Sequence, residues 1–492
     1  MANPVAAEAY VADPRRWRAL SVTLVAGFMT LLDVSIVSVA LPSMQRSLGV
    51  SPAEAQWVIS GYALTFGLTL VPAGRLGDAL GRRRMFQFAL GGFVLCSALA
   101  GAAPTAVLLI VARLAQGLAA GALAPQNSGL IQDLFRGGER GRAFGLFGGT
   151  VGVSTAVGPV AGGLILAAAG EPDGWRWIFF INVPIGVLAL LLAARWLPGP
   201  PAHARRGSLD VVGAGLLGGA VFAVMLPLVE AYAGGLARLW WLFPVGAALA
   251  AAFLAWERRM TRRGRAPLLD LRLLTDTPGY SSGVALGMTY FVGFSGIWLV
   301  FALFFQIGLG YTPLQSGLVV TPFALGSAVS STLGGRLVER FGRRLTVLGL
   351  AGVLVGLGTT AVVLALVPPS VAGPAMIAPI LLAGIGGGLV ISPNVTMTLR
   401  CVPVRMAGSA GGALQTAQRI GAAIGTAALA GIFYAVLNAT GRHYQRGVGI
   451  ALGVAVAMML VAFAIAILEW RAGSGRPAAG EGPEPTAADT YP

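Results

Sequence analysis

Fourteen times between Arg16 and Arg471 the chain enters an apolar stretch of the length a bilayer crossing requires, at approximately 17–41, 53–73, 85–103, 105–132, 141–169, 175–196, 208–231, 238–256, 278–306, 313–335, 344–367, 371–398, 407–437 and 447–469. A crossing takes about 20 residues of helix, and in lipid each backbone polar group needs a partner within the chain, which a helix supplies. The stretches therefore predict an all-α polytopic membrane protein. Only 11% of its 492 residues are charged, against about 25% in soluble domains. All 34 basic residues are Arg. Of these, 27 fall in segments assigned to one side of the membrane. Five (Arg46, Arg176, Arg238, Arg442 and Arg446) fall on the other side, and two (Arg113 and Arg419) lie inside spans. This is the positive-inside bias. It accounts for the net charge of +15 without a nucleic-acid partner, and it predicts cytoplasmic termini and a cytoplasmic-membrane location.

The first span carries a carboxylate at its middle, Asp33, within Phe28–Pro42. A charge near the bilayer centre costs about 2.5–3.5 kcal/mol on insertion scales, so Asp33 needs a partner, a wet cavity or a proton. A carboxyl group that exchanges a proton between two sides of a membrane is the core of a proton-coupled transporter. Span 4 holds the nearest plausible counter-charge, Arg113, whose guanidinium keeps its charge and must face a polar interior.

The chain also repeats itself. Gly74-Arg-Leu-Gly-Asp78-Ala-Leu-Gly81-Arg82-Arg83 returns 261 residues later as Gly335-Arg-Leu-Val-Glu339-Arg-Phe-Gly342-Arg343-Arg344. Arg142, Gly145, Gly148, Gly149, Gly158 and Gly162 return 263 residues later as Arg405, Gly408, Gly411, Gly412, Gly421 and Gly425. Two matches at nearly one offset predict two six-helix bundles, 17–197 and 278–470. Between them lies a linker, 198–277, carrying two inserted helices, with a short lead at 1–16 and a disordered tail at 471–492. Parallel repeats of this kind place a substrate near the midplane between the halves.

The segment after span 2 resembles the signature loop of the major facilitator superfamily, with Gly74, Leu76, Asp78, Gly81, Arg82 and Arg83 in place and Ala79 where a basic residue is common. Fourteen spans and the string Leu32-Asp33 to Leu41-Pro42 resemble its 14-span drug:proton antiporter branch of EmrB/QacA type. The resemblance implies that this loop is a cytoplasmic latch for one conformation, its Asp accepting bonds at a helix N-terminus and its arginines anchoring to lipid phosphate or carboxylates. Arg113, Gln116 and Gly117 match the family's Arg-x-x-Gln-Gly motif, which assigns Arg113 to proton coupling. Gly145, Gly158, Pro159, Gly162 and Gly163 match its antiporter helix, with Ser154 at one glycine position. There Pro159 is expected to kink the helix and the glycines to allow tight contact with the opposite half.

Trp57, Tyr62, Gln126, Asn127, Tyr290, Phe294, Trp298 and Asn394 are candidates for the cavity wall, where aromatic rings suit flat amphipathic ligands and cations. Arg419, near the middle of span 13, either faces the cavity or bonds helix carbonyls. Cys96, Cys401, His203 and His443 make no metal or redox spacing, and a P-loop is impossible without Lys, so no metal, cofactor or enzymatic chemistry is expected. The expected partners are a small molecule, protons and membrane lipids, for a protein acting as a monomer. Proton-driven efflux of lipophilic or aromatic compounds is the expected function. A dedicated exporter of a self-made metabolite and a symport importer are the alternatives.

Overall fold

A computed structural model describes residues 13–49, 52–170, 172–199, 210–231, 234–265, 267–403, 406–441 and 443–474. The lead over 1–12, most of the tail, His203, Arg405, Arg442 and the side chain of Pro159 lie outside the described residues. Among the described residues there are seventeen α-helices and no strand. The first bundle holds α1 (Arg16–Leu48), α2 (Pro52–Leu80), α3 (Arg82–Gly101), α4 (Ala106–Leu134), α5 (Gly137–Ala169) and the broken pair α6 (Arg176–Phe180) and α7 (Asn182–Trp196). Then come α8 (Val211–Val229), the short α9 (Gly235–Arg238), α10 (Leu242–Arg262) and the short α11 (Arg272–Thr275). The second bundle holds α12 (Tyr280–Leu303), α13 (Pro313–Phe341), α14 (Arg343–Leu366), α15 (Ala372–Thr398), α16 (Ala407–Ala439) and α17 (Tyr444–Ser474).

Twelve candidate spans are long and apolar enough to cross a membrane among the described residues. The expected count of fourteen would add α5 and α10, which fall outside those twelve. The last turns of α10 carry Glu257, Arg258, Arg259 and Arg262, which dilutes its apolar run. Polar side chains satisfy free backbone donors at several helix starts. Thr312 and Gln315 form a reciprocal capping box at the start of α13, and the Thr105 hydroxyl accepts from Leu108 N–H at the start of α4. At α8, Asp210 accepts from Gly213 N–H and from the Trp256 indole at 2.9–3.0 Å, tying the two linker helices together.

The segment expected to be a loop after span 2 is helical to Leu80. The Gly and Asp residues that suggested a loop lie on the last two turns of α2, and the chain turns at one residue. Gly81, at φ +97°, passes directly from α2 into α3, and Gly342, at φ +51°, does the same from α13 into α14. A side chain is strained at such φ values, so the glycine closing each repeat is set by backbone geometry. The repeat is thus a shared helix–corner–helix, not a flexible connection.

Within the first bundle α2 and α3 pack on α4, and α1 packs on α5 and α7. Within the second, α13 and α14 pack on α15, and α12 packs on α16 and α17. The halves meet along α5 against α13 and along α2 against α16, while α8 leans on α2 and α16 from outside. Small residues allow this closeness. A Cβ on Gly335 would stand 2.4 Å from the Gly141 carbonyl oxygen and 2.5 Å from Gly145 Cα. Lipid tails give little hydrophobic drive to helix pairing, so direct backbone contact has to carry it.

Gly335→Val should therefore hold the two halves apart at the arginine-rich end. Cysteines placed at Gly138 and Glu339, which face each other across α5 and α13, should crosslink readily in a background lacking Cys96 and Cys401. Adding Gly335→Val should suppress that crosslink, and an unchanged yield would show that this glycine contact does not set the closure.

Candidate functional site

α1, α2, α3, α4 and the α6–α7 pair converge on Asp33, which has no solvent exposure. Arg113, 1% exposed, reaches it from α4 and donates from Nη1 to Asp33 Oδ2 at 2.5 Å. The same Nη1 reaches Gln116 Oε1 at 2.8 Å, and Gln116 Nε2 donates back to Asp33 Oδ1 at 3.1 Å. Arg113 Nε donates to the Val58 carbonyl at 2.9 Å, and the guanidinium lies 4.2 Å from the Tyr62 ring centre. Asn182 Nδ2 reaches Asp33 Oδ1 at 3.4 Å and Ser97 Oγ at 3.1 Å. The coupling pair expected from sequence is therefore a buried ion pair with amide donors arranged around the carboxylate. Removing one partner of such a pair is costly, because the other is left as an uncompensated buried charge.

A cavity of about 310 Å³ lies between the halves, within the size range of small-molecule sites. Of the expected wall residues, Asn127, Phe294, Trp298 and Arg419 line it. They are joined by Phe66, Phe147, Phe291 and Phe323. Phe294, Trp298 and Phe323 form a ring cluster with centroid separations of 4.6–5.4 Å. Asp33 is not a wall residue. Thr30, one helical turn earlier, is one, and its carbonyl accepts from the Tyr62 hydroxyl at 3.2 Å. The carboxylate is thus sealed behind the wall in this conformation, out of reach of a molecule in the cavity.

Five candidates lie elsewhere. Tyr62, 2% exposed, sits behind the wall under the Arg113 guanidinium. Trp57 packs outward with Leu64, Val221 and Met225, against α8. Gln126 is one residue from Asn127, hence about 100° around the helix, and donates to the Ala73 and Ala122 carbonyls at the α2–α4 contact. Tyr290 is 1% exposed and stacks on Phe294, 5.2 Å between centroids, from the side away from the cavity. Asn394 accepts from Arg343 Nη1 at 2.5 Å and donates to the Gly283 carbonyl at 3.0 Å, serving the second repeat rather than the cavity.

At the arginine-rich end the two repeats cross over. Asp78 accepts from the backbone N–H groups of Gly408 and Ser409 at 3.1 and 3.0 Å, placing a carboxylate of the first half on the N-terminus of α16, where the helix dipole favours an anion. A Cβ on Gly74 would stand 2.3 Å from the Gly408 carbonyl oxygen. Arg82 pairs with Asp78 and Asp133, each at 3.0 Å. Arg83 donates to the Ala194 carbonyl on α7, a contact within its own bundle. In the second half Arg343 pairs with Glu469 at 2.7 Å, and Glu339 lies against Gly138 in the first turn of α5. The antiporter-type glycines divide between two partners. Gly145 meets the opposite half at Gly335, as expected, but Gly158 and Gly162 pack on Ser35 and Ile36 of α1 in their own half. α5 is assigned as one helix through Pro159.

Sequence reasoning missed Asn182 and Ser97, single polar residues in apolar spans with no motif around them. Asp133 was also missed, although an acid near the arginine-rich corner of the repeat is the type of residue Arg82 requires.

A family model described as Major Facilitator Superfamily matches residues 23–269 and 283–489. The chain is 37% identical over 434 residues to a probable actinorhodin transporter of Streptomyces coelicolor, covering 86% of this chain and 73% of that protein. It is 38% identical over 423 residues to the puromycin resistance protein pur8 of Streptomyces alboniger, covering 85% and 82%. It is 33% identical over 421 residues to the tetracenomycin C resistance and export protein of Streptomyces glaucescens, covering 84% and 75%. The human organic anion transporter MFSD10 shares the fold, with a TM-score of 0.67 at 16% identity over 92% of this chain and 100% of that one. The proton:xylose symporter XylE does so with a TM-score of 0.64 at 15% identity, over 93% and 95%.

Breaking the Asp33–Arg113 pair from one side should destabilise the fold by about 3–5 kcal/mol, whereas replacing both members with apolar residues should be close to neutral. Arg113→Leu should thus lower the thermal midpoint of the detergent-solubilised protein, and Asp33→Leu added to it should restore much of the loss. If the double variant melts lower than the single one, the pair is not the coupled unit described.

Proposed function

The chain belongs to the Major Facilitator Superfamily, and from that premise we propose that it is a proton-coupled antiporter exporting lipophilic aromatic small molecules, drugs or antibiotics among them. It is a transporter and not an enzyme. The observation that carries the coupling is the placement of Asp33, a sequestered carboxylate one helical turn behind the wall of a ring-lined cavity. In the proposed cycle Asp33 takes a proton from outside and releases it inward as the halves rock about the midplane site. Arg113, Gln116 and Asn182 hold the carboxylate while it is ionised. The Asp78–α16 contact closes the cytoplasmic side in the conformation described, and its release opens the cavity to the cell interior. Relatives that include resistance and export proteins support outward movement.

On the same reading α5 and α10 also cross, for fourteen crossings, with bundles at 17–197 and 278–470 and the inserted pair within 198–277. The arginine-rich face is cytoplasmic, which puts both termini inside and the protein in the cytoplasmic membrane. It works as a monomer, because both halves of one chain complete the cavity. Each proton brought in supplies about 2.3 kcal/mol per 100 mV of membrane potential, roughly a fiftyfold gradient, enough for resistance to a toxic compound.

Expression in an efflux-deficient host, scored against a panel of toxic aromatic compounds, should give resistance that Asp33→Asn abolishes at a membrane level of folded protein, checked by its melting in detergent, that allows for the stability lost when Arg113 is unpaired. Resistance retained by that variant would remove the coupling role. Asp78→Ala, which deletes the two backbone hydrogen bonds to α16 and the Arg82 pairing, should slow turnover about tenfold or more with substrate affinity nearly unchanged. Weaker affinity at equal turnover would move Asp78 from gating to binding.

A further inference from the structure

The central cavity has one charged wall residue. Arg419 projects from α16 into a space whose other lining residues carry no charge. Among the described residues its guanidinium has no hydrogen bond or ion pair; it lies over the Phe66 ring, 4.2 Å from its centre, and interacts electrostatically with Tyr62. The buried carboxylate of the first half, Asp33, is committed to Arg113 and lies behind the wall. A charge held in surroundings poorer than water in dielectric response gains most from a directly bonded opposite charge. Two further wall groups lack partners: the buried Asn127 Oδ1 and the buried Ser392 hydroxyl, each on a residue 2% exposed. The rings of Phe294, Trp298 and Phe323 line the same cavity.

We propose that the substrates are aromatic monoanions, a flat ring system bearing a carboxylate or an ionised phenol, with Arg419 as the residue that selects the charge. The proposal rests on the reading of this cavity as the transport site and names the class of molecule it takes. The anionic group pairs with the guanidinium, the ring system lies among the aromatic side chains, and a hydroxyl or carbonyl on the scaffold meets Asn127 and Ser392. A protonated amine on the same ring system finds no carboxylate in the wall and faces Arg419 as a like charge. Phe66 holds the guanidinium by its face and leaves the N–H edges for the ligand.

The test uses three probes with one ring system: 2-naphthoate, its neutral amide 2-naphthamide, and the cation 2-naphthylmethylammonium. Binding is measured at neutral pH to the full chain in lipid nanodiscs by equilibrium dialysis, with no proton gradient. The unmodified protein should bind the carboxylate most tightly and the ammonium least. Arg419→Gln should weaken the carboxylate roughly tenfold to a hundredfold, the scale of a lost hydrogen-bonded charge, and leave the amide nearly unchanged. Arg419→Lys, which keeps the charge, should retain the order of the three. Equal affinities, no detectable naphthoate binding, or preference for the ammonium in the unmodified protein would overturn the proposal whether or not the variants fold. So would a carboxylate preference that survives in folded Arg419→Gln. Because no gradient is applied, loss of proton-driven export with the preference intact would sink the antiport reading and leave this inference standing.

Discussion

A carboxylate and a guanidinium facing each other inside a bilayer set the terms for the first half of this molecule. Asp33 and Arg113 are 0% and 1% exposed, and neither can be accommodated alone in that position. Satisfying both takes Val58 on α2, Gln116 on α4, Asn182 on α7 and, through Asn182, Ser97 on α3. Five helices are thereby held in register around one ion pair, including α1, which brings Asp33 itself. Gly117 shows how close the packing must be: a Cβ there would stand 2.4 Å from the Tyr62 carbonyl oxygen. Small residues beside Arg113 are what let α4 lie near enough to α2 for Arg113 Nε to reach the Val58 carbonyl.

The second half uses the same device in a different place. It has no carboxylate equivalent to Asp33, and its buried arginine, Arg343, sits at the corner between α13 and α14, paired with Glu469 and Asn394. The halves are thus alike at their corners and unlike at their centres. The corners hold each half together and meet the other half through helix N-termini and glycine contacts. At the centres, one half has a closed ion pair and the other contributes an open cation, Arg419.

The parts of this arrangement that were legible in the sequence depend on type and spacing. A lone acid in an apolar run, an arginine in another and a repeated corner are visible without coordinates, and each occupies a meaningful place in the fold. What could not be read was rotation about the helix axis. A helix that is apolar all round gives no amphipathic signal to separate the lipid-facing side from the cavity-facing one. Gln126 and Asn127 were therefore indistinguishable although only Asn127 faces the cavity, and Trp57 was grouped with Phe294 although it packs outward on α8. The loop assigned over 74–80 failed for a different reason. Gly, Asp and Arg normally mark a surface turn, but here they sit on a helix end whose close neighbour, α16, requires small residues and an anion at that position.

One helix touches all three working parts. Along α2, Tyr62 lies under the Arg113 guanidinium, Phe66 under that of Arg419, and Asp78 against the start of α16. Tyr62 and Phe66 are four residues apart, with ring centres 6.0 Å from each other, so the face of α2 that closes the ion pair continues into the face that supports the cavity cation. A rigid element with contacts at each site is the type of two-state body through which distant sites bias one equilibrium. On the proposed reading, a displacement of α2 that frees Asp78 from α16 also shifts the rings beneath both arginines, so gate, cargo and proton site change together. The charge of the cargo then bears on the energetics. An anion leaving a negatively charged interior moves with the field, gaining about 2.3 kcal/mol per 100 mV, the same amount a proton gains on entering. A transporter built this way draws on the potential twice per cycle, which makes an unpaired arginine in the cavity consistent with outward rather than inward transport.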